Sequence, residues 1–548
     1  MRFNTIIGPA AVAVVLSIGG PVLAQPADFD RQAAALLEAA YPADGPGAAV
    51  VVTRKGKVIF TGSRGLADLD TGRPITADTP FRLGSITKQL TAAVVLQLVA
   101  EGKISLDDPL SRFFPDWPQP GAKATVRQLL NHSSGLYDYT KIPGYMLSEP
   151  TLRPNTTADL LAVIRSRPAT PPGTRWEYNN GGYVVLGAII EQVTGQPWHQ
   201  AVVERIARPL GLKSIAYAAA PPADTARGYS EIDGKTQPAR GVHISVAHAA
   251  GALVGSPADL ARWAQALHNG KVVDPALYGE MTAPARMADG RTEPYGFGLR
   301  LRQIRGRPAL VHGGAGRGLD TDAVYIPSED LYVAVFANSD DPGADPAVLT
   351  RRLAALALGE PYPTFRPAEV APETLAPLFG LYDAGQGPPR RFFSRDGRLF
   401  LARGDEEMEA FPAGEDRFFF GPEDLAWFRI ERRPDGAHIL EAHPPEDAAP
   451  VRATRTGPVP PSLVVPPEVL ASYVGAYQTE GPLLTIALAD GKLTITPPGQ
   501  APIPMRPVSQ TEFRLEGMRL VFHPENGKVD RMTLYRGARE LHGRRVNP

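Results

Sequence analysis

Proline decides first how this chain can be divided. Pro361, Pro363, Pro367 and Pro372 form one cluster, and Pro444, Pro445, Pro450, Pro458, Pro460, Pro461, Pro466 and Pro467 form another. Proline has a fixed φ and no amide hydrogen, so neither a helix nor an inner strand runs through such stretches. They read as linkers, and a chain of 548 residues is in any case longer than one core supports. Three folded pieces are expected, over residues 28–358, 374–456 and 467–548. The last two look alike. Gly380-Leu381-Tyr382 is matched by Gly475-Ala476-Tyr477 and Asp396-Gly397-Arg398-Leu399 by Asp490-Gly491-Lys492-Leu493, at offsets of 475 − 380 = 95 and 490 − 396 = 94. Both carry short alternating apolar runs between Asp-Gly or Asn-Gly turns, among them Leu484–Leu488, Lys492–Ile495 and Arg519–Phe522. That pattern predicts a small antiparallel barrel or sandwich in each.

The first piece mixes two periodicities. Gly47–Thr53 and Val58–Phe60 read as strands around a turn, and strands return at Tyr295–Leu301, Ala309–His312, Thr321–Ile326 and Tyr332–Asn338. Between them, helical spacing runs over Ser85–Ala100, Val126–Leu130, Thr157–Arg165, Gly182–Thr194 and Pro257–His268. Strands at both ends with helices between predict one α/β (α+β) domain whose sheet joins the two ends.

Charge and composition remove several function classes. With 57 Lys+Arg against 58 Asp+Glu the net charge is −1, which disfavours nucleic acid as a partner. There is no cysteine, so disulfides, thiolate nucleophiles and Cys-ligated metals are excluded. The histidines show no ligand spacing, and the glycines from Gly313 to Gly318 miss the dinucleotide fingerprint. No metal and no cofactor are expected. Residues 1–24 carry Arg2, then an apolar run from Ile6 to Leu23, with Val22 and Ala24 before a cut at Gln25. They read as a secretory signal and imply a periplasmic or secreted protein with no membrane span after its removal. A membrane anchor is the alternative, weakened by Pro9 and Gly19-Gly20-Pro21.

The chemistry starts at Phe81-Arg82-Leu83-Gly84-Ser85-Ile86-Thr87-Lys88. On a helix, a spacing of three puts Ser85 and Lys88 on one face. A serine hydroxyl becomes a nucleophile when a base takes its proton, and a buried lysine can be that base in its neutral form. The same helix start offers the Ser85 backbone N–H to an oxyanion. Alone, Ser-x-x-Lys is a common surface pair.

Three further motifs follow in order: Leu129-Leu130-Asn131-His132-Ser133-Ser134-Gly135-Leu136, Tyr178-Asn179-Asn180 and His312-Gly313-Gly314. Over roughly residues 40 to 340 the set resembles the penicillin-recognising serine hydrolases, which include class C β-lactamases, DD-peptidases, some esterases and D-aminopeptidases. The resemblance implies a β-lactamase/transpeptidase-like domain with Ser85 as the acylated nucleophile, Lys88 as its proton acceptor and Tyr178 as the proton relay. It implies Asn180 as a holder of the substrate amide, His312, Gly313 and Gly314 as the substrate-binding strand, and the Ala315 N–H as second oxyanion donor beside Ser85. His132 is expected to serve a turn. Histidine where β-lactamases have Lys-Thr-Gly points away from antibiotic hydrolysis, and the order of a catalytic domain followed by two barrels resembles the D-aminopeptidases. The turn through Gly517 is shorter than the corresponding loop of those enzymes. A peptide, amide or ester substrate is implied, and a penicillin- or peptidoglycan-binding protein without turnover is the alternative of another class.

Overall fold

The computed structural model describes residues 28–546, except 143, 233, 341–344, 405, 422–423, 446–448, 460–462, 464, 490, 499–500, 516–517, 526–527 and 537–538. The signal segment, Asp490 of the repeated Asp-Gly pair and the Gly517 turn lie outside the described residues. Two compact units form: Met1–Arg366 with Gly421–Trp427 and His443–Pro450, and Pro367–Phe420 with Phe428–Ala442 and Val451–Pro548.

In the first unit β1 (Ala48–Arg54), β2 (Lys57–Arg64), β3 (Arg300–Ile304), β4 (Arg307–Gly316), β5 (Leu319–Ile326) and β6 (Leu331–Ala337) make one antiparallel sheet in the order β3-β4-β5-β6-β1-β2. The register from Ala48↔Ala337 to Arg54↔Leu331 joins the two ends of the domain. Side chains alternate across a strand, so Ala49 and Val51 enter one core while Ala48, Val50 and Val52 enter the other. Both faces are covered, and β1 is therefore apolar along nearly its whole length. Helix α1 (Phe29–Ala40) covers one face, and α2 (Thr87–Ala100) and α3 (Asn180–Thr194) lie in the core on the other. Helix α2 is buried around most of its circumference, as its apolar run predicts.

Two expectations are corrected. The helix predicted from Ser85 begins as a 3₁₀ turn, Gly84–Ile86, with regular α-helix from Thr87. The strand predicted over Tyr295–Leu301 begins only at Arg300, joined to Tyr295 by an isolated bridge. The reason is close approach: at Gly298, with φ +73°, a Cβ would lie 2.9 Å from the Lys88 carbonyl carbon. The segment bends over α2 and only then enters the sheet.

The second unit holds two antiparallel sheets. Strands from Gly380–Asp383 to Val451–Gly457 close into a barrel around Tyr382, Phe392, Phe418 and Phe428. Strands between Gly475–Thr479 and Arg539–Val546 form a nine-stranded sheet around Tyr477, Leu493, Phe513 and Phe522. Its edge strands Ile503–Pro504 and Arg506–Pro507 are separated by Met505 alone, so the sheet all but closes on itself.

Candidate active site

The site is assembled where the Ser85 turn meets β4. Gly84 takes φ +51°, and a Cβ there would lie 2.9 Å from the Gly314 Cα. A Cβ on Gly314 would lie 2.1 Å from the Leu83 oxygen and 2.9 Å from the Ser85 nitrogen. Backbone therefore packs on backbone, and the Thr321 hydroxyl ties the pair by donating to Gly314 O at 3.0 Å and Leu83 O at 3.3 Å. Strand β3 pairs with β4 only as far as Arg300↔Val311. Beyond that point His312–Gly316 has β5 on one side and no described strand on the other, with Ala315 exposed. An extended substrate can lie along such an edge.

Lys88 is wholly buried, and its Nζ donates to Ser85 Oγ, Asn180 Oδ1 and Ala250 O, each at 2.9 Å. Burial pushes the amine down to about 7; the Asp138 carboxylate works against this and the Arg300 guanidinium adds to it. Tyr178, half-buried, has its phenol within hydrogen-bonding reach of Ser85, and burial pushes it up to about 12. The Tyr178 ring lies 4.8 Å from Lys88 Nζ. The adjacent asparagines divide their work. Asn179 caps α3 by accepting from the Gly182 N–H at 2.9 Å, which leaves Asn180 on the first turn facing the lysine.

Ser85, Lys88, Tyr178 and Asn180 thus converge, with Gly314 against the Ser85 turn. His312 behaves differently, since its imidazole is 2% exposed and both nitrogens are taken. Gly313 O lies 2.7 Å from Nδ1 and can only accept, so Nδ1 carries the proton and Nε2 accepts from the Tyr295 hydroxyl at 2.9 Å. Burial and the Lys88 charge push His312 down to about 3, which keeps it neutral. His132 does more than form a turn: at φ +65° its ring packs 4.4 Å from Tyr178 and 4.6 Å from Tyr295, and Nδ1 accepts the Asn179 N–H at 3.2 Å. No cluster of three or more His, Asp or Glu among the described residues is placed to hold a metal.

The family described as Beta-lactamase matches residues 34–358, more than half of the chain. The chain belongs to the beta-lactamase family. It is similar to the D-aminopeptidase of Brucella canis, 29% identical over 380 residues, covering 67% of this chain and 71% of that one. Among solved structures, a D-stereospecific amidohydrolase from a Streptomyces species is 31% identical over 61% of this chain and 98% of its own, with a TM-score of 0.51. The octameric penicillin-binding protein homologue of Pyrococcus abyssi is 25% identical over 75% and 96%, with a TM-score of 0.53. Membership of the beta-lactamase family, with amide-hydrolysing relatives, makes the chain a serine hydrolase.

Four contributors escaped the sequence reading. Asp138 touches Asn180, Arg300 lies over the rings of Tyr178 and Tyr295 at 5.4 and 5.7 Å, Tyr295 holds His312, and Ala250 supplies a carbonyl to Lys88. Arg300 has no carboxylate within ion-pairing distance among the described residues. A backbone carbonyl leaves no mark in a sequence, and the other three carry no spacing that ties them to Ser85.

Proposed function

We propose that the protein is an exported serine hydrolase that forms an acyl-enzyme at Ser85 and acts on D-amino-acid peptides or amides. The observation that carries this is the wholly buried Lys88 amine, 2.9 Å from Ser85 Oγ and pushed down to about 7. In its neutral form the amine has two N–H bonds and one lone pair. Asn180 Oδ1 and Ala250 O can only accept, so they take the two N–H bonds and the lone pair is left for the Ser85 hydroxyl. Lys88 then removes the Ser85 proton as Oγ attacks the substrate carbonyl. The Ser85 and Ala315 N–H groups receive the oxyanion, and the Tyr178 phenol, protonated up to about 12, passes a proton to the leaving amine. Water attacks the acyl-Ser85 ester by the reverse route. The relatives named D-aminopeptidase and D-stereospecific amidohydrolase support the substrate class, and the apolar segment before Gln25 supports export.

The sign of the pH dependence follows from Lys88. The neutral amine is the base, so kcat/KM should be lost as pH falls through about 7 and reach its plateau above. The decisive experiment is a panel of D- and L-aminoacyl p-nitroanilides, p-nitrophenyl esters and a β-lactam, run on wild type and Ser85→Ala with intact-mass detection of the acyl adduct. Turnover of the D-amides with an adduct confined to wild type is expected. Ester turnover alone makes the protein an esterase, a lasting adduct without turnover makes it a binding protein, and full activity in Ser85→Ala ends the proposal. One observation favours a second reading. The Arg300 guanidinium, without a carboxylate partner among the described residues, restores a cation beside the strand where His312 stands, which suits peptides ending in a free carboxylate. Peptides with free and amidated C-termini separate the two.

A further inference from the structure

Asn180 meets Lys88 through its side-chain carbonyl, with Oδ1 accepting from Nζ at 2.9 Å. The two ends of an amide are nearly the same size, so the group on the far end decides which one faces the lysine. Here that group is a carboxylate. Asp138 Oδ2 accepts from Asn180 Nδ2 at 3.4 Å, while Oδ1 accepts from the Thr140 N–H at 3.1 Å and the Thr140 hydroxyl at 2.9 Å. Asp138 is 4% exposed and caps the 3₁₀ turn Tyr139–Lys141, so it is held from one side and aimed at Asn180 on the other. An ionised carboxylate accepts only and selects the NH₂ end of the amide.

Resting on the reading of Lys88 as base, we infer that Asp138 is a positioning residue: its carboxylate holds the Asn180 amide with the carbonyl end on Lys88 and so keeps Nζ aimed at Ser85 Oγ. The electrostatics agree with the geometry. Among the groups acting on Lys88, Asp138 raises its affinity for a proton and Arg300 lowers it. The rings of Tyr178 and Tyr183 lie 4.8 and 5.4 Å from Nζ, and both phenols stay protonated because burial raises them. His132 and His312 are kept neutral by burial. Asp138 therefore supplies the negative charge that this cluster feels.

Asp138→Asn conserves size and can still accept from Thr140, but it turns an NH₂ toward Asn180 Nδ2. Donor then faces donor, the Asn180 amide rotates, and Lys88 loses an acceptor. The acid limb of kcat/KM should move down by about one pH unit, since losing the Asp138 charge and losing an acceptor on Nζ both favour the neutral amine. The plateau should fall about tenfold. Asp138→Glu keeps the charge and should hold the limb near its wild-type position. The experiment is the kcat/KM profile from pH 5 to 10 for wild type and both variants on the best substrate of the panel, with thermal unfolding in parallel. A lower limb in Asp138→Asn restored in Asp138→Glu supports the inference. A wild-type limb in Asp138→Asn, whether activity is kept or lost along with thermal stability, overturns it. Should Asp138→Asn not fold, Asp138→Ser, smaller and able to cap the same turn, decides on the same readout. If wild type forms no adduct at Ser85 the functional reading fails; if it does and the limb stays put, this inference alone fails.

Discussion

Lys88 in the catalytic unit and Arg455 in the first barrel both donate to main-chain carbonyls, yet they differ in what they can do. Lys88 Nζ donates to Ala250 O at 2.9 Å, and Arg455 donates through Nε and Nη2 to Phe379 O at 3.1 and 2.8 Å. The arginine closes a clasp. It lies over Gly380, where a Cβ would come 2.5 Å from its Nε, while Tyr382 reaches back to Leu378 O at 2.5 Å. The second barrel repeats this with Arg545 on Val474 O over Gly475, and Tyr477 donating to Tyr473 O at 3.0 Å. A guanidinium does not lose its proton in a protein, whereas a buried ammonium does. The same device is a fastener with arginine and, on the proposed function, a base with lysine.

The strongest way to break that comparison is to exchange the cations. Lys88→Arg keeps a donor on the carbonyls but removes the base, so kcat/KM should fall about a thousandfold and the limb near 7 should vanish. Retained activity with a limb near 7 would show that Lys88 is not the base. Next in size is Gly314→Ala. Its Cβ would fall 2.1 Å from Leu83 O, so β4 must move off the Ser85 turn, and a displacement of about 1 Å costs about a hundredfold in rate. Steady-state kinetics against an unchanged unfolding temperature would place the effect in the site. Arg455→Ala acts on the other side of the comparison. It should cost about 1 to 3 kcal/mol in chemical denaturation, by leaving Phe379 O without its donors, and leave the acid limb where it was.

Local signals were legible in the sequence, and tertiary ones were not. The helices at Val126–Leu130, Thr157–Arg165 and Pro257–His268 end where the spacing puts them. Thr125, Thr156 and Ser256 cap them, the first two as full capping boxes with Gln128 and Asp159. Ser85, Lys88, Tyr178 and Asn180 were readable because each sits in a motif. Asp138 and Arg300 were not, since each reaches the cluster only through the packing of another element against α2 and α3. The bend at Gly298 was missed for the same reason: its local pattern is that of a strand, and the backbone of α2 overrides it. In the barrels the repeated Gly-x-Tyr was visible, but its arginine arrives from the last strand of each sheet.

The smallest effect tests whether the two clasps are one design. Tyr382→Phe and Tyr477→Phe each remove a hydroxyl that donates to a carbonyl four residues earlier, Leu378 O and Tyr473 O. Both tyrosines are fully buried, so no water replaces the lost donor, and each change should cost about 1 kcal/mol. Tyr473 also donates its own hydroxyl to Gln510 O at 3.0 Å and stacks 4.1 Å from Phe522, which holds that carbonyl from a second direction. Tyr477→Phe should therefore cost at least as much as Tyr382→Phe, because a carbonyl whose owner is firmly held cannot turn toward another donor. Urea midpoints of the two variants measure the difference. A smaller loss from Tyr477→Phe would mean that the second barrel depends on its clasp less than the first, and that the repeat is one of sequence rather than of energetics.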